Sequence, residues 1–210
     1  MVVKVCGLRD PDNLAEVVDA KPDMVGFIFY SQSPRYVDEA AAKALNSVSV
    51  GNAQRVGVFV DSDLRHIEQM GVHFGLHAVQ LHGTESPTLC YQLQKMGLTV
   101  IKAFRVEEKF SFAEVEPYVG SCSFFLFDAA GSSAGGNGVT FRWSLLENYT
   151  ANVPFLLSGG IDEQHLSSIK TLNHPMLHGV DINSRFEVVP GVKDVPRVKK
   201  FIEMLKSDLC

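Results

Sequence analysis

Lys4-Val5-Cys6-Gly7 and Leu157-Ser158-Gly159-Gly160-Ile161 are the two stretches that decide the fold, because in each an apolar strand runs directly into a glycine turn. The first strand carries the thiol of Cys6 to its C-terminal end. The second ends in bare glycine backbone with a helix predicted to follow, an arrangement that binds phosphate. A reactive side chain and a phosphate site at strand ends predict an enzyme that acts on a small phosphorylated metabolite.

Short apolar runs recur along the whole chain and predict eight strands. They are almost continuously apolar, which is typical of parallel strands covered by helices on one face. Their starts are separated by roughly 20 to 30 residues, close to the ~30-residue repeat of a strand followed by a helix. The predicted strands are Val2–Cys6, Met24–Phe29, Arg55–Val60, Ala78–Leu81, Thr99–Ala103, Ser123–Phe127, Pro154–Leu157 and Gly179–Ile182.

Helix signals occupy most of the segments between these strands, and Asp, Ser and Pro residues at their starts are typical of N-caps and first turns. The predicted helices are Asn13–Ala20, Asp38–Leu45, Asp61–Met70, Thr88–Lys95, Asp162–Leu172 and Asp194–Lys206, with shorter ones over Phe110–Tyr118 and Phe141–Glu147. Eight strands with eight connections favour a closed (β/α)8 barrel, the TIM-barrel architecture, over an open doubly wound sheet. Because no linker or break in composition divides the chain, residues 1–210 are predicted to form one α/β domain.

The composition of the 210 residues, 46% hydrophobic and 20% charged, is typical of a globular protein. The formal net charge of −5, with no basic stripe, argues against nucleic acid as a partner. Four scattered cysteines predict neither a disulfide framework nor a zinc knuckle. No leader-like segment and no apolar run of ~20 residues is present, which predicts a cytoplasmic protein without membrane contact. We expect a monomer or a homodimer.

Polar residues at the C-terminal ends of the strands are the candidates for chemistry, because the active site of such a barrel lies there. Cys6 could act as a nucleophile or general base if the site stabilises its thiolate, or it could be a small core residue. Asp128 follows the sixth predicted strand, which is rich in phenylalanine, and could be a general acid, or a turn or N-cap residue. Arg35, after the second strand, could pair with a substrate carboxylate or remain a solvated loop residue.

The loops after the sixth, seventh and eighth strands are rich in glycine or small polar residues. Gly131–Gly138 lacks the ending of a P-loop, so we expect a lid over the barrel mouth rather than a nucleotide site. Ser158-Gly159-Gly160 and Asp181-Ile182-Asn183-Ser184 stand where loops commonly bind phosphate in this fold. His82 could line the pocket. The spacing of the histidines and acidic residues predicts no metal site.

Several short motifs follow one another along the chain in a characteristic order. They are Lys4-Val5-Cys6-Gly7-Leu8, Gly26-Phe27-Ile28-Phe29 with Ser33-Pro34-Arg35, Val56-Gly57-Val58-Phe59-Val60, Val79-Gln80-Leu81-His82-Gly83, Asp128 with Gly135-Gly136-Asn137-Gly138, Leu157-Ser158-Gly159-Gly160, Gly179-Val180-Asp181, and Glu187 through Pro190-Gly191-Val192-Lys193-Asp194. Each is a modest signal alone. In this order they resemble the phosphoribosylanthranilate isomerase family over essentially the whole chain.

The resemblance implies a cofactor-free Amadori rearrangement of N-(5-phosphoribosyl)anthranilate to 1-(2-carboxyphenylamino)-1-deoxyribulose 5-phosphate. By this likeness Asp128 is the general acid that protonates the furanose ring oxygen, and Cys6 is the general base that removes the C2′ proton. Arg35 holds the anthranilate carboxylate. The other residues implied to bind this small phosphorylated substrate are Gln80, His82, Gly159, Gly160, Asp181, Asn183 and Ser184, with backbone amides of Gly160, Asn183 and Ser184 directed at the phosphate.

Two positions depart from the pattern of the family: Arg185 stands where glycine is frequent, and Asn137 stands where Ser or Thr is usual. Four alternatives compete with this family, of which a metal-dependent pentose-phosphate epimerase would need converging His and Asp ligands that the sequence does not offer. Indole-glycerol-phosphate synthase would need a lysine at a strand end, whereas Lys102 lies inside the fifth predicted strand. A histidine-pathway isomerase would place an aspartate at the position of Cys6. A barrel that binds a phosphometabolite without turnover would need neither Cys6 nor Asp128.

Overall fold

Eight parallel strands form the closed barrel that the sequence predicts. The computed structural model describes residues 1–107, 109–129 and 143–207. The barrel strands are β1 (Val2–Cys6), β2 (Met24–Ile28), β3 (Gln54–Phe59), β4 (Ala78–Leu81), β5 (Thr99–Val106), β6 (Phe124–Ala129), β7 (Phe155–Ser158) and β8 (Leu177–Ile182). Each strand pairs with its neighbours in sequence, and β1 pairs with β8 to close the barrel. An antiparallel hairpin of β9 (Glu187–Val189) and β10 (Val192–Lys193) follows β8.

Helical segments connect the strands on the outside of the barrel. The α-helices in the described parts of the chain are α1 (Pro11–Asp19), α2 (Glu39–Asn46), α3 (Leu64–Phe74), α4 (Pro87–Lys95), α5 (Leu166–Thr171) and α6 (Val195–Lys206). Short 3₁₀ segments cover Phe112–Tyr118, Trp143–Asn148, Glu163–His165 and Ser184–Phe186. No helix within these described ranges has the length and apolar character needed to cross a membrane.

Two predicted helices differ from the structure near their ends. The helix predicted over Asp61–Met70 begins at Leu64, because its N-cap is Asp63, whose carboxylate accepts a hydrogen bond of 2.8 Å from the backbone N–H of His66. The short segment predicted over Phe110–Tyr118 is a 3₁₀ helix that begins only after a Ser N-cap. Neither difference changes the order of the elements.

Residues along each strand alternate between the interior of the barrel and the side that faces the helices. On β1, Val3 and Val5 belong to the core between barrel and helices. Lys4 and Cys6 therefore face the interior. Apolar side chains fill the middle of the barrel, namely Met24, Val56, Ala78, Ile101, Ala103, Leu126 and Leu156. Because this interior is packed, a ligand can enter only at an end of the barrel.

Aromatic rings pack behind β6, the strand that carries Asp128. The ring of Phe127 lies 5.1 Å from that of Phe155 and 5.2 Å from that of Tyr149, measured between centroids. Such a pair contributes about 0.5 to 1.5 kcal/mol beyond the burial of its area. The rings hold the strand firmly, so the position of Asp128 is set by a rigid support.

Candidate active site

A cavity of about 580 Å³ opens at the C-terminal end of the barrel. The inward-facing residues at the strand ends form its wall. All the predicted site residues except Arg35 line it: Cys6, Gln80, His82, Asp128, Gly159, Gly160, Asp181, Asn183 and Ser184. A second hollow of about 590 Å³ lies at the opposite end of the barrel, and none of the predicted site residues lines it. The structure thus brings the thiol and the carboxyl group to one cavity.

Cys6 ends β1 beside a glycine of the neighbouring strand. Cys6 pairs with Gly26 of β2, and a Cβ atom added at Gly26 would lie 2.9 Å from the sulfur. A side chain at position 26 would therefore push the thiol away, so glycine is required there by close approach. Cys6 is only 3% exposed although it lines the cavity. Water therefore has almost no access to its sulfur.

Charged groups surround the sulfur of Cys6. Burial raises the pKa of Cys6, and Lys4 is the main group that acts in the opposite direction. The ammonium group of Lys4 donates hydrogen bonds of 3.0 Å to both carboxylate oxygens of Asp181. Asp181 raises the pKa of Cys6, whereas Lys193 of β10 lowers it. The net result is a pKa of Cys6 above its ordinary value, so the thiol is harder to ionise than usual.

Arg35 lies beside this group without lining the cavity. It packs against Gly7, the residue after Cys6, and its Nε donates to the two carboxylate oxygens of Glu187 at 2.8 and 3.0 Å. Glu187 also accepts a hydrogen bond of 2.7 Å from Lys193 Nζ. Among the described residues, Nη1 of Arg35 has no hydrogen-bond partner. Glu187 therefore orients the guanidinium group and leaves donors for another acceptor. We call Cys6, Lys4, Asp181, Arg35, Lys193 and Glu187 the ionic cluster.

A row of hydrogen bonds holds Asp128 on the other side of the cavity. His82 Nε2 lies 3.2 Å from Oδ2 of Asp128, and His82 Nδ1 lies 2.9 Å from Nε2 of Gln80. When the Gln80 amide donates to Nδ1, the other ring nitrogen of His82 carries the hydrogen and donates to Asp128. This row orients the carboxyl group toward the cavity. The structure thus places His82 in contact with the carboxyl group and Gln80 in contact with His82.

Lys102 anchors the backbone on both sides of His82. Its Nζ donates to the carbonyl of Leu81 at 3.2 Å and to that of Gly83 at 2.7 Å, and it pairs with Glu85 at 3.1 Å. Lys102 is 2% exposed and is not among the residues that line the cavity. It therefore supports the end of β4 and does not present a catalytic ammonium group to the cavity.

The glycine turn after β7 presents backbone amides to the cavity. Gly159 and Gly160 have φ angles of 93° and 67°, in the region that favours glycine. Among the described residues, their N–H groups have no acceptor. The single helix predicted over Asp162–Leu172 is instead a 3₁₀ turn followed by α5. Because Asp162 caps that turn, the free amides of the glycines rather than a helix N-terminus are suited to hold an anion.

Two arginines that the sequence analysis did not select also line the cavity. Arg105 lies next to Asp128 in the pairing of β5 with β6, and Arg185 follows Ser184. Neither has an ion-pair partner among the described residues. The register could have found Arg105, because a fifth strand continued past Ala103 pairs Arg105 with Asp128. The structure continues β5 to Val106.

Two other expectations concern metals and the lid. Within the described ranges, no group of three His, Cys, Asp or Glu side chains could hold a metal ion. The segment Gly131–Gly138, predicted to be a lid, and Asn137 within it lie outside the described residues.

Comparisons with known proteins give one consistent result. The family model described as N-(5'phosphoribosyl)anthranilate (PRA) isomerase matches residues 3–204. Proteins named N-(5'-phosphoribosyl)anthranilate isomerase are 40% identical in Parabacteroides distasonis, over 98% of this chain and 93% of the relative, and 40% identical in Phocaeicola vulgatus, over the full length of both.

Solved structures agree with these relatives. Phosphoribosyl anthranilate isomerase from Thermotoga maritima is 33% identical, with a TM-score of 0.84 over 99% of this chain and 100% of that one. A phosphoribosyl anthranilate isomerase in complex with reduced 1-(o-carboxyphenylamino)-1-deoxyribulose 5-phosphate is 31% identical, with a TM-score of 0.82 over the same shares of the two chains.

Proposed function

The chain belongs to the N-(5'-phosphoribosyl)anthranilate isomerase family, and on that premise we propose that Cys6 and Asp128 are the base and the acid of its reaction. The protein is an isomerase of tryptophan biosynthesis that converts N-(5'-phosphoribosyl)anthranilate to 1-(2-carboxyphenylamino)-1-deoxyribulose 5-phosphate. One observation carries the assignment of residues: a thiol, a carboxyl group and free glycine amides face the same cavity.

The proposed reaction begins at the ring oxygen of the sugar. Asp128 gives its proton to this oxygen, the bond between C1′ and the oxygen breaks, and the anthranilate nitrogen supplies the electron pair that forms an iminium ion. The iminium makes the C2′ proton acidic, so the thiolate of Cys6 can remove it as a general base. The resulting enolamine tautomerises to the ketone. Every step is a proton transfer or a shift of electrons within the substrate.

The two charged ends of the substrate fit two different parts of the site. We assign the anthranilate carboxylate to Arg35, whose Nε side is held by Glu187 and whose Nη1 donors are available. A guanidinium that is fixed on one edge binds a carboxylate with little loss of side-chain freedom. We assign the phosphate to the amides of Gly159 and Gly160, with those of Asn183 and Ser184 beside them.

An assay of the purified protein tests the function directly. N-(5'-phosphoribosyl)anthranilate is fluorescent and labile, so it is generated in place, and its consumption is followed by loss of fluorescence. We expect decay much faster than in a blank without enzyme. Decay no faster than the blank, in protein whose circular dichroism shows a folded barrel, would favour a barrel that binds a phosphometabolite without turnover.

Three further properties complete the proposal. We propose that residues 1–210 form one domain and that the protein is cytoplasmic, in line with a biosynthetic family. It is expected to be a monomer or a homodimer. A solved neighbour, from Thermotoga maritima, is described as a dimeric enzyme from which monomers were generated, and light scattering coupled to size-exclusion chromatography distinguishes the two states here.

A further inference from the structure

Lys4 is a charged residue in the barrel interior that the proposed reaction does not use. It is completely buried, and an ammonium group without water is stable only when it is paired and hydrogen-bonded. Its partner Asp181 lies on β8, 177 positions away in the chain. Each of the two carboxylate oxygens of Asp181 is 3.0 Å from Nζ of Lys4. The pair borders the cavity, because Asp181 is one of the residues that line it.

The geometry of β1 places the ammonium group of Lys4 under the sulfur of Cys6. The two residues are separated by one position, so their side chains point to the same face of the strand. A lysine ammonium group has three N–H donors. Asp181 takes two of them, and the same ammonium group interacts electrostatically with the sulfur of Cys6, which faces the same interior. Lys4 therefore connects a buried carboxylate with the thiol.

The charges of the ionic cluster balance only for one state of Cys6. Lys4, Lys193 and Arg35 are cations, and Asp181 and Glu187 are anions. With Cys6 as a thiol the cluster carries one excess positive charge. With Cys6 as a thiolate, three cations face three anions. Lys4, Asp181, Lys193 and Arg35 act on the sulfur from β1, β8, β10 and the loop after β2, Glu187 on β9 binds Lys193 and Arg35, and Gly26 on β2 adds no charge.

We propose that Lys4 is a positioning residue whose ammonium group, held in place by Asp181, is the fixed counter-cation of the Cys6 thiolate. The inference rests on the proposed role of Cys6 as the general base. Lys4 neither gives nor takes a proton: the proton from C2′ goes to the sulfur, and the ammonium group stays charged. In agreement with this, Asp181 and Cys6 raise the pKa of Lys4 in spite of its burial.

The experiment measures how easily Cys6 ionises, without using the substrate. Iodoacetamide alkylates the thiolate, and mass spectrometry of the peptide that contains Cys6 separates it from Cys90, Cys122 and Cys210. In Lys4→Met the rate at a given pH between 8 and 10 should fall about tenfold or more, because a close opposite charge shifts a pKa by roughly 1 to 3 units. In Asp181→Asn the rate should rise, because the anion that opposes the thiolate is removed. Lys4→Arg should retain most of the original rate.

Lys102→Met is the matched control, because Lys102 is an equally buried strand lysine with a carboxylate partner. It should leave the alkylation rate of Cys6 within about twofold, whereas a general loosening of the barrel would raise that rate in both lysine variants. An unchanged rate in Lys4→Met, or shifts of the same sign in Lys4→Met and Asp181→Asn, would overturn the proposal. If Lys4→Met does not fold, the increase in Asp181→Asn decides. Shifted alkylation without isomerase activity would refute the proposed function and leave the pairing of Lys4 with Cys6 intact.

Discussion

The two sides of the cavity differ in how much water reaches them. The base side consists of the ionic cluster, in which Cys6 is 3% and Asp181 5% exposed. The acid side consists of Asp128, His82 and Gln80, and the side chains of His82 and Asp128 are 33% and 23% exposed. Charges interact strongly where water is excluded and are screened where it enters. The state of Cys6 therefore depends on its charged neighbours, whereas Asp128 lies where water enters the cavity and is hydrogen-bonded to His82.

Removing either reacting group should have the largest effect and tests whether both sides are needed. Cys6→Ala and Asp128→Asn should each lower kcat by at least about 10²-fold, since a positioned acid or base contributes roughly 10²- to 10⁴-fold. KM should change far less. Steady-state kinetics with the fluorescent substrate measure both constants. If one variant turns over substrate nearly as fast as the unmodified enzyme, the substituted residue is not the acid or base. Only one side of the cavity would then take part in the proton transfers.

Glu187→Gln tests whether the base side is held by buried charge. We expect the free energy of unfolding to fall by about 3 kcal/mol or more, because Arg35 and Lys193 lose their shared anion. Glu163→Gln is the control, since Glu163 and Arg197 form a similar two-bonded pair that is much more accessible to water, and an exposed pair contributes only about 0 to 1 kcal/mol. Urea unfolding at pH 7 measures both. Equal losses would mean that burial does not distinguish the pairs.

The same glutamate should make stability depend on pH in one direction. The pKa of Glu187 lies below its ordinary value of 4.5 in the folded protein, because Arg35 and Lys193 outweigh burial. Folding thus favours the carboxylate, and this stabilisation is present above pH 4.5 and is lost as the pH falls through the lowered pKa. Glu187→Gln should therefore lose less stability than the unmodified protein between pH 5 and pH 3. An identical loss would show that Glu187 does not contribute to it.

Arg35→Ala should chiefly raise KM. A charged hydrogen-bonded contact contributes roughly 1.5 to 3 kcal/mol, which corresponds to an increase of about 10- to 160-fold. Arg65→Ala, at an exposed position of α3, should leave KM unchanged. If Arg35→Ala leaves KM unchanged as well, Arg35 serves only to bind Glu187, and the carboxylate is held elsewhere, for which Arg105 is the first candidate.

His82→Ala should have the smallest effect on kcat, because water reaches the acid side of the cavity. Water can replace the hydrogen bond that His82 makes with Asp128, and a neutral hydrogen bond contributes about 0.5 to 1.5 kcal/mol. We expect kcat to fall by about threefold to tenfold, while His73→Ala on the surface of α3 should leave it unchanged. A loss as large as that of Asp128→Asn would show that His82 takes part in the proton transfer and that the two sides are more alike than their exposure indicates.

Most of the fold could be predicted because strand cores are apolar on both faces. The eight predicted strands agree with the structure to within three residues at each end. The largest difference is at β5, which continues beyond Ala103 because Phe104 and Val106 face the core while Arg105 faces the cavity. A strand at the mouth of a barrel can carry a charged residue inward toward solvent, so polarity alone does not show where such a strand ends.

The ends of the strands also led to most of the candidate site. Parallel strands in a closed barrel bring all their C-terminal ends to one side, so Cys6 and Asp128 were expected in one cavity, and both line it. The prediction of one continuous helix after Gly160 was wrong at its start, because Asp162 caps a 3₁₀ turn there. Arg35, expected to hold a substrate carboxylate, is bound to Glu187 and does not line the cavity. The roles of all these residues stay predictions until the variants are measured.

The amino-acid sequence by itself determined the barrel and the place of its chemistry, because apolar periodicity and chain order are local properties. Only the tertiary structure decided the environment of each group. The pairs of Lys4 with Asp181 and of Arg35 with Glu187 join residues 177 and 152 positions apart, and no local pattern links them. Whether water reaches a charged group depends on what the closed barrel packs around it. The access of water in turn decides how strongly the group acts on the sulfur of Cys6.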